Sequence, residues 1–283
     1  MSYRIIHIRK RSNAWRKIYV PDEATKRWLR ERLRTAAAWV LDRDLHGVQH
    51  GFTRGRSPVT NAMAHIGFRY TLTMDLEDAF DSVTVDKIMP MHHLSAKGVE
   101  MAFINGAARQ GLPTSPIFCN LALSVVDNNI MALRCRGRFG WNFCYTRYAD
   151  DLAFSFNFHA TAGWLLETIP PIITTHGFKL NEAKTKLQCA RAGRRMITGV
   201  AVDDDGVHVP RSIRRRLRAA RHQSKRNPWA KGQARGLSEW SKLQLPAGYQ
   251  PPVSTATPAD SARVIHLSAA TMVPVGCFGR KFP

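Results

Sequence analysis

The chain has 283 residues, of which 42 are Lys or Arg and 21 are Asp or Glu, so its formal net charge is +21. The hydrophobic fraction of 44% is typical of folded proteins and excludes a wholly disordered chain. A charge of this size indicates a polyanionic partner, most simply nucleic acid, because each neutralised phosphate releases counterions. No apolar run approaches the roughly 18 residues of a membrane span, so no membrane contact is expected.

The cysteines and the N-terminal segment bear on the cellular compartment. Five cysteines are scattered along the chain without a Cys-x-x-Cys pair, which predicts reduced thiols and neither a disulfide framework nor a zinc site. Residues 1–10 have no apolar run of signal-peptide length. A cytoplasmic location is therefore expected.

The first third of the chain predicts a hairpin, a helix and a strand. Residues 3–20 alternate into two strands around a basic turn, with six Lys or Arg and no acid. A helix is expected to begin after Pro21-Asp22, with Trp28 and Leu29 on one face. The segment 71–76 is expected to form a strand that ends in carboxylates.

The rest of the chain predicts a buried helix, a second hairpin and a basic C-terminal helix. The expected elements are a helix over 119–133, a β-hairpin over 143–156, a helix over 161–176 and one short strand over 195–202. From Arg211 the composition becomes basic, and Ile213, Leu217 and Ala220 predict an amphipathic helix. Residues 246–260 are rich in Pro, Ala, Ser and Thr, which is typical of a linker.

Asp150 and Asp151 are adjacent carboxylates between two apolar, strand-like runs. Taken alone, such a pair is most often a solvated turn, because Asp is common in turns. If buried, the two carboxylates repel each other unless a cation lies between them, and hard oxygen ligands suit Mg²⁺.

A second carboxylate group changes this interpretation. Asp75 follows a strand, and that strand could pack beside the hairpin that carries Asp150 and Asp151. Carboxylates from two elements are the layout that holds two metal ions about 3.5–4 Å apart. Asp78 and Asp81 are expected to be no more than a solvated helix start.

An ordered series of motifs carries a resemblance to a known family. The motifs are IRKRSNAWRKIYVP, HGFTRGRSPVTNAMAH, MDLEDAF, RQGLPTSP, Tyr-Ala-Asp-Asp at 148–151, GFKLNEAKTK, ITGVAV and VPRSIRRRLRA. In this order the chain resembles reverse transcriptases, most closely the bacterial retron type, from about Tyr3 to about Gly236. Two positions depart from the pattern: Arg109 replaces a proline that often precedes Gln110, and Asp81 replaces the proline of a Phe-Phe-Pro-Ser string.

The resemblance implies an α+β right-hand polymerase fold. The implied regions are fingers over 1–70, a palm over 71–204 with an antiparallel sheet and helices on one face, a small basic helical thumb over 205–245, and a Pro-rich linker and tail over 246–283. The palm is expected to follow a β-α-β-β-α-β-like order. The resemblance fades after about Ser238, so the thumb could be truncated or remodelled.

The resemblance also implies the catalytic carboxylates. Asp75 and Asp150 match the main metal ligands, and Asp151 matches a weaker third one. The implied cofactor is Mg²⁺, as two ions, with Mn²⁺ also possible.

Nucleotide-binding roles are implied for a further set: Lys10, Arg16, Phe80, Gln110, Gly111 and Lys184. Lys10 and Arg16 match residues that hold a triphosphate, with a solvated basic hairpin as the alternative. Phe80 matches a ring that clashes with a ribose 2′-hydroxyl, with core packing as the alternative. Gln110 and Gly111, with Ser115, match a loop that shapes the nucleotide pocket. Lys184 is a candidate proton donor to pyrophosphate, and Lys186 competes for that role.

Nucleic-acid contacts are implied for Tyr148, Thr198, Gly199, Arg214, Arg215 and Arg218. Tyr148 could equally be a core residue, and Ile197 precedes Thr198 and Gly199 in a primer-grip-like string. His65 is expected to have a structural role or to contact RNA.

The implied function is templated DNA synthesis from dNTPs by a retron-type enzyme. Its expected partners are a structured non-coding RNA template, the DNA product and an effector or toxin protein in anti-phage defence. The alternatives are another defence-associated reverse transcriptase, a group II intron-like enzyme, or a nucleic-acid-binding scaffold without catalytic activity.

Overall fold

The N-terminal hairpin has the form that the sequence predicts. The computed structural model describes residues 2–9, 13, 15–91, 94–136, 142–243 and 245, with side chains described at all of these except 34–42, 134–136 and 229. Strands β1 (Tyr3–Arg9) and β2 (Trp15–Pro21) pair antiparallel along their full length. Helix α1 (Glu23–Arg43) follows, and Asp22 Oδ1 accepts the Thr25 N–H at 2.7 Å as its cap. The predicted linker and tail from 246 onward lie outside the described residues.

A five-stranded antiparallel sheet forms the centre of the molecule. Its strands are β3 (Tyr70–Glu77), β4 (Phe143–Tyr148), β5 (Asp151–Phe156), β6 (Lys179–Leu180) and β7 (Lys186–Cys189). They lie in the order β4-β5-β3-β6, and β7 pairs with the other end of β3 on the same edge as β6. Two long helices interrupt the strands in chain order, α6 (Ser115–Arg136) before β4 and α7 (Ala160–Thr175) before β6. The order is therefore the expected β-α-β-β-α-β.

Side-chain alternation along β3 separates the core from the opposite face of the sheet. Leu72, Met74 and Leu76 are buried in one hydrophobic cluster with residues of α6 and α7. Successive strand residues point to opposite faces, so Thr73 and Asp75 face away from these helices. The same alternation places the carboxylates and the main core on opposite sides of the sheet.

Shorter elements surround the sheet. They are α2 (Pro58–Met63), α3 (Ala79–Ser82), α4 (Val85–Ile88), α5 (Ala96–Ala102), β8 (Arg195–Ile197), β9 (Val200–Val202), β10 (Val207–His208), α8 (Arg211–Gln223) and α9 (Trp229–Trp240). A second, smaller hydrophobic cluster joins α2 to β8 and β9 and includes Trp240 at its edge.

The single strand predicted over 195–202 is wrong, because the segment is a hairpin of β8 and β9. Thr198 and Gly199 form its two-residue turn, and both have positive φ, 45° and 82°. Two successive positive φ values match the hairpin turns whose twist fits antiparallel strands. Only Thr198 and Gly199 separate the apolar residues of the two strands, which hid the turn.

Helix α6 corrects the expectation that no segment of the chain is apolar over the length of a membrane span. By length and composition alone, Ser115–Leu133 could cross a membrane, and 61% of it is buried inside the protein. Its polar residues Asn120, Ser124 and Asp127 are themselves buried. The helix is the core helix of this fold, and the polar residues within it are why the sequence did not show one apolar run.

Candidate active site

The three carboxylates named from the sequence lie at one end of the central sheet. Asp75 on β3 is paired in register with Asp151 at the start of β5, and Tyr148 at the end of β4 is paired with Asp151 from the other side. Asp150 lies in the turn between β4 and β5, and its carbonyl accepts the Leu76 N–H at 3.0 Å. The sheet therefore brings together the carboxylates of two separate elements, as the sequence predicted.

The turn that carries Asp150 has an unusual backbone. Ala149 has a φ of 57°, a left-handed conformation that costs a non-glycine residue free energy. Gly51 packs directly on this turn, and a Cβ at that position would lie 2.3 Å from the Ala149 nitrogen. Glycine is therefore required at 51 if the loop before α2 is to support the turn.

A buried ion pair holds the same turn from the core side. Arg147 and Asp127 are fully enclosed, and Arg147 Nη2 lies 2.7 Å from Asp127 Oδ2. Arg147 Nη1 also donates to the Ala149 carbonyl at 3.1 Å and to Asn120 Oδ1 at 2.9 Å. Tyr145 completes the network by donating its hydroxyl to Asp127 Oδ1 at 2.7 Å.

This buried hydrogen-bond network is not among the features that the sequence predicts. The available signal was one Arg in an otherwise apolar strand and one Asp in an apolar helix, since two opposite charges in buried elements commonly pair. The Arg147 guanidinium donates hydrogen bonds to both carboxylate oxygens of Asp127 and to the Ala149 carbonyl in the turn. It fixes the position of the residue immediately before Asp150.

The site carries an excess of negative charge that the protein only partly neutralises. Desolvation, followed by the neighbouring charges of Asp150 and Asp75, raises the pKa of Asp151 to about 7. Desolvation also raises the pKa of Asp150. Lys184 Nζ donates to Asp75 Oδ2 at 2.7 Å, and this hydrogen bond raises the pKa of the lysine. A site that disfavours its own charged carboxylates is one that a cation would stabilise.

The carboxylate side chains do not surround a common point that a metal ion would occupy. Within the part of the chain that the structure describes, no three His, Cys, Asp or Glu side chains are grouped to hold a metal ion. The donor set nevertheless fits a hard divalent cation, because carboxylate oxygens are the ligands that Mg²⁺ prefers. The Lys184 ammonium is hydrogen-bonded to Asp75 Oδ2, one of the oxygens that a metal would use.

A cleft of about 750 Å³ opens on the Asp75 and Asp150 side of the sheet. It is lined by Trp15, Arg16, Lys17, Tyr19, Phe52, Asp75, Leu76, Glu77, Asp78, Ala79, Phe80, Asp81, Arg109, Gln110, Ala149, Asp150, Asn181 and Lys184. Four of the residues predicted to bind nucleotide, Arg16, Phe80, Gln110 and Lys184, lie in this one cleft. Lys10 lies outside the described residues.

The remaining predicted loop residues lie beside this cleft. Gly111 has a φ of 110°, and a Cβ there would lie 2.3 Å from the Tyr19 carbonyl. Gln110 accepts the Tyr19 N–H at 2.8 Å through its backbone, so the loop and strand β2 are in direct contact. Ser115 is buried and donates to the Arg109 carbonyl at 2.7 Å.

A second cleft of about 700 Å³ shares Asp75 and Lys184 with the first. Among its lining residues are Asp75, Tyr148, Asp151, Lys184, Lys186, Ile197, Thr198 and Gly199. Thr198 is held by its hydroxyl, which donates to the Pro58 carbonyl at 3.3 Å. Lys184 lines both of these clefts, whereas Lys186 lines the second and not the first.

Helix α8 has the basic amphipathic form that the sequence predicts. Leu217 and Ala220 are buried, while Arg214, Arg215 and Arg218 are exposed. These arginines line a cleft of about 700 Å³ with Arg211, Arg221 and Ser241. The exposed face presents a continuous cationic surface.

His65 is a buried structural group. Its Nδ1 lies 2.9 Å from Ser155 Oγ and its Nε2 lies 2.7 Å from Thr146 Oγ1. Burial, with a smaller contribution from Arg195, lowers its pKa to about 3, so the ring is neutral at physiological pH. The structural alternative for His65 is confirmed, and a direct RNA contact is excluded by its complete burial.

The amino-acid sequence matches known reverse transcriptases. Residues 8–226 match the family model described as reverse transcriptase (RNA-dependent DNA polymerase). The chain is 31% identical over 266 residues to the retron Mx162 reverse transcriptase of Myxococcus xanthus, covering 76% of this chain and 54% of the relative. It is 29% identical over 235 residues to the retron Ec86 reverse transcriptase of Escherichia coli, covering 78% and 69%. The chain spans about half the length of the Myxococcus relatives that it matches.

Solved structures support the fold. The telomerase of Candida albicans in complex with a TWJ fragment of telomeric RNA has a TM-score of 0.54 at 13% identity, covering 73% of this chain and 46% of that one. The foamy viral protease-reverse transcriptase in complex with double-stranded DNA has a TM-score of 0.50 at 16% identity, covering 85% and 36%. The predicted α+β right-hand polymerase fold and the resemblance to retron enzymes are confirmed. Since the family model matches most of the chain, the protein belongs to the reverse transcriptase (RNA-dependent DNA polymerase) family.

Proposed function

We propose that this protein is an RNA-directed DNA polymerase of retron type, which adds dNTPs to a primer 3′-hydroxyl or an RNA hydroxyl. The observation that carries the proposal is the row of Asp75, Asp150 and Asp151 at the boundary of two clefts, in a chain of this family. Phosphoryl transfer depends mainly on positioning and on charge neutralisation, and the site supplies residues for both.

The cleft of about 750 Å³ is the proposed nucleotide site. Arg16 and Lys184 provide positive charge for the triphosphate, and the raised pKa of Lys184 keeps it cationic. The ring of Phe80 lies 6.3 Å from that of Phe52, so the wall beside the sugar position is aromatic. A ring at this wall excludes a ribose 2′-hydroxyl, which favours dNTPs.

Asp75, Asp150 and Asp151 are the residues that would hold Mg²⁺, as two ions. Bound there, the ions would neutralise charge on the reacting phosphate and activate the attacking oxygen. The role of the protein residues is to place the carboxylates: β3 and β5 fix Asp75 and Asp151, and Arg147 fixes the turn before Asp150.

The second cleft and helix α8 are the proposed track for the primer and the duplex. Tyr148, Thr198 and Gly199 line the cleft next to Asp151. Arg214, Arg215 and Arg218 face outward from α8 and would contact phosphates. Binding should therefore weaken steeply as salt rises, because each phosphate contact releases counterions.

The similarity to retron enzymes supports a structured non-coding RNA as the template, with RNA-linked DNA as the product. A role in cytoplasmic anti-phage defence beside an effector protein is part of the same proposal. The regions over 1–70, 71–204 and 205–245 would then act as fingers, palm and thumb.

Primer extension tests the proposal. Wild-type protein is supplied with an RNA template, a DNA primer, Mg²⁺ and dNTPs, beside a variant in which Asp150 and Asp151 are replaced by Ala. The expected result is dNTP incorporation by the wild type and none by the variant. Equal incorporation by both would contradict the assigned site. Sequencing the nucleic acid that copurifies with the protein tests the retron assignment, which requires a covalent RNA–DNA species.

A further inference from the structure

An ion pair lies at the mouth of the proposed nucleotide cleft, between the two positions that depart from the family pattern. Arg109 Nη1 lies 2.8 Å from Asp81 Oδ1. Both side chains line the cleft, where Asp81 follows Phe80 in sequence and Arg109 precedes Gln110. In the pattern that the chain otherwise follows, a proline often stands at each of these positions, so two rigid residues are replaced here by two complementary charges.

The Arg109 side chain lies close to three neighbouring elements: the short helix with Phe80, its own loop, and strand β2. Through Asp81 it is joined to the short helix that carries Phe80. Its Nε donates to the Ile104 carbonyl at 3.1 Å, which orients the guanidinium along its own loop. Its guanidinium carbon also lies 6.0 Å from the centre of the Tyr19 ring on β2.

Backbone hydrogen bonds join the segment 78–85, which carries Phe80, to the loop 104–112, which carries Gln110, and one of them runs from the Val85 N–H to the Gly106 carbonyl at 3.1 Å. The Ala108 N–H donates to the Val83 carbonyl at 2.9 Å, below the cleft. Toward the mouth, the Arg109–Asp81 ion pair is the side-chain link between the segment with Phe80 and the loop with Gln110. The distance between Phe80 and Gln110 thus depends on these backbone bonds, on the packing of Phe80 against the core, and on the Arg109–Asp81 ion pair.

The ion pair contributes more to geometry than to overall stability. The Asp81 side chain is 52% exposed and that of Arg109 is 21% exposed. Ion pairs that are exposed to water contribute little to the stability of the folded protein, so variants at these positions should fold. A small displacement of a group that borders a substrate can nevertheless change reactivity strongly.

From these contacts we infer that Arg109 and Asp81 are positioning residues, which hold Phe80 against the sugar of the incoming nucleotide and so set discrimination between dNTPs and rNTPs. The inference rests on the proposed function of the cleft. Phe80 also packs on the main hydrophobic cluster, so loss of the ion pair removes only the side-chain link at the cleft and lets the helix and the Gln110 loop separate slightly there. The added space accepts a 2′-hydroxyl.

A double-mutant cycle tests the inference. The variants are Asp81→Asn, Arg109→Gln, the double variant, and the exchange Asp81→Arg with Arg109→Asp. The quantity measured is the ratio of kcat/KM for dNTPs to kcat/KM for rNTPs on one primer and template. Lys26→Gln, which removes an exposed ion pair with Glu23 on α1, is the matched control.

The expected result is a loss of discrimination of about threefold to fivefold in each single variant, with no further loss in the double variant. The exchange should recover part of the ratio, and Lys26→Gln should leave it unchanged. Independent, additive losses or an unchanged ratio in all variants would overturn the inference.

The outcome for the proposed function is separate. If the wild type incorporates dNTPs and the ratio is unchanged in the variants, only the positioning role fails. If the wild type incorporates nothing, equilibrium competition between a dNTP and the matching rNTP for the protein gives the corresponding ratio of affinities. An unchanged competition ratio in the variants, or a wild type that binds neither nucleotide, overturns the inference.

Discussion

Two ion pairs flank the hairpin of β4 and β5, and their surroundings differ. Arg147–Asp127 lies on the core side, and Lys184–Asp75 lies at the cleft, each with an N–O distance of 2.7 Å. The side chains of the first pair are 0% and 3% exposed, whereas Lys184 is 59% exposed. The two ion pairs thus have the same N–O distance, but the second is far more accessible to water and to ligands.

The difference assigns different roles to the two pairs. A buried charge without its partner is costly, so Arg147 and Asp127 must stay together once the protein is folded. An exposed lysine gains little from its pairing and can exchange one anion for another. The buried pair therefore fixes the hairpin, and the open pair leaves Asp75 and Lys184 available to a metal ion and a phosphate.

Replacing Asp127 should produce the largest change in stability. Asp127→Asn keeps the shape of the side chain and leaves the buried Arg147 charge unpaired, so unfolding free energy should fall by about 3–5 kcal/mol. Chemical denaturation measures the change. Asp86→Asn, at an exposed position, is the control and should change stability by about 0.5 kcal/mol or less. A change in Asp127→Asn as small as in the control would remove the distinction between the two pairs.

Replacing Lys184 should produce the opposite pattern. Lys184→Gln should change stability by about 1 kcal/mol or less and lower the rate of dNTP addition by about 10²-fold. The rate falls because a cation and proton donor next to the phosphate is lost. Lys186→Gln, on the neighbouring strand and in the second cleft but not the first, should cause a smaller loss. Single-turnover kinetics compares them, and equal losses would show that Lys184 has no distinct role.

Acid should destabilise the protein through His65, which lies on the cleft side of the same hairpin. Its folded pKa of about 3 is below the unfolded value of 6.5, so the unfolded state binds more protons between these values. Stability contributed by the neutral ring is present above pH 6.5 and is lost as pH falls. Between pH 7 and pH 5 the loss is about 2 kcal/mol.

Denaturation at several pH values, for wild type and His65→Gln, measures this contribution. The loss between pH 7 and pH 5 should be about 2 kcal/mol smaller in the variant, and the remaining slope should combine His50, whose pKa burial lowers to about 4, with Asp151, whose raised pKa of about 7 acts in the opposite direction. Identical slopes in the two proteins would show that His65 does not titrate as described.

The strands and carboxylates could be predicted because their signals are local. Alternation along 71–76 and around Asp150 fixes which side chains share a face. Antiparallel pairing of those strands then brings Asp75 to Asp151. The basic face of α8 follows in the same way from its spacing of Leu217 and Ala220.

The ion pairs were not predicted, because the spacing of charged residues along the chain does not show which partners meet after the helices and loops pack on the sheet. Arg147 meets Asp127 only after α6 packs on the sheet. Asp81, expected to be a solvated residue at a helix start, is indeed half-exposed but pairs with Arg109 from another loop. The turn at Thr198 and Gly199 was missed for a local reason, since the strands on either side are both apolar.

We propose that Asp150 belongs to the site of DNA synthesis and is not needed for the fold. The most direct test is single-nucleotide addition on an RNA template by wild type and by Asp150→Asn, with the melting temperature of each measured in parallel. We expect addition by the wild type and a loss of about 10³-fold in the rate of addition by the variant. The melting temperature of the variant should not fall, because one member of a group of mutually repelling carboxylates is removed. Addition at the wild-type rate by a folded Asp150→Asn variant would contradict this proposal.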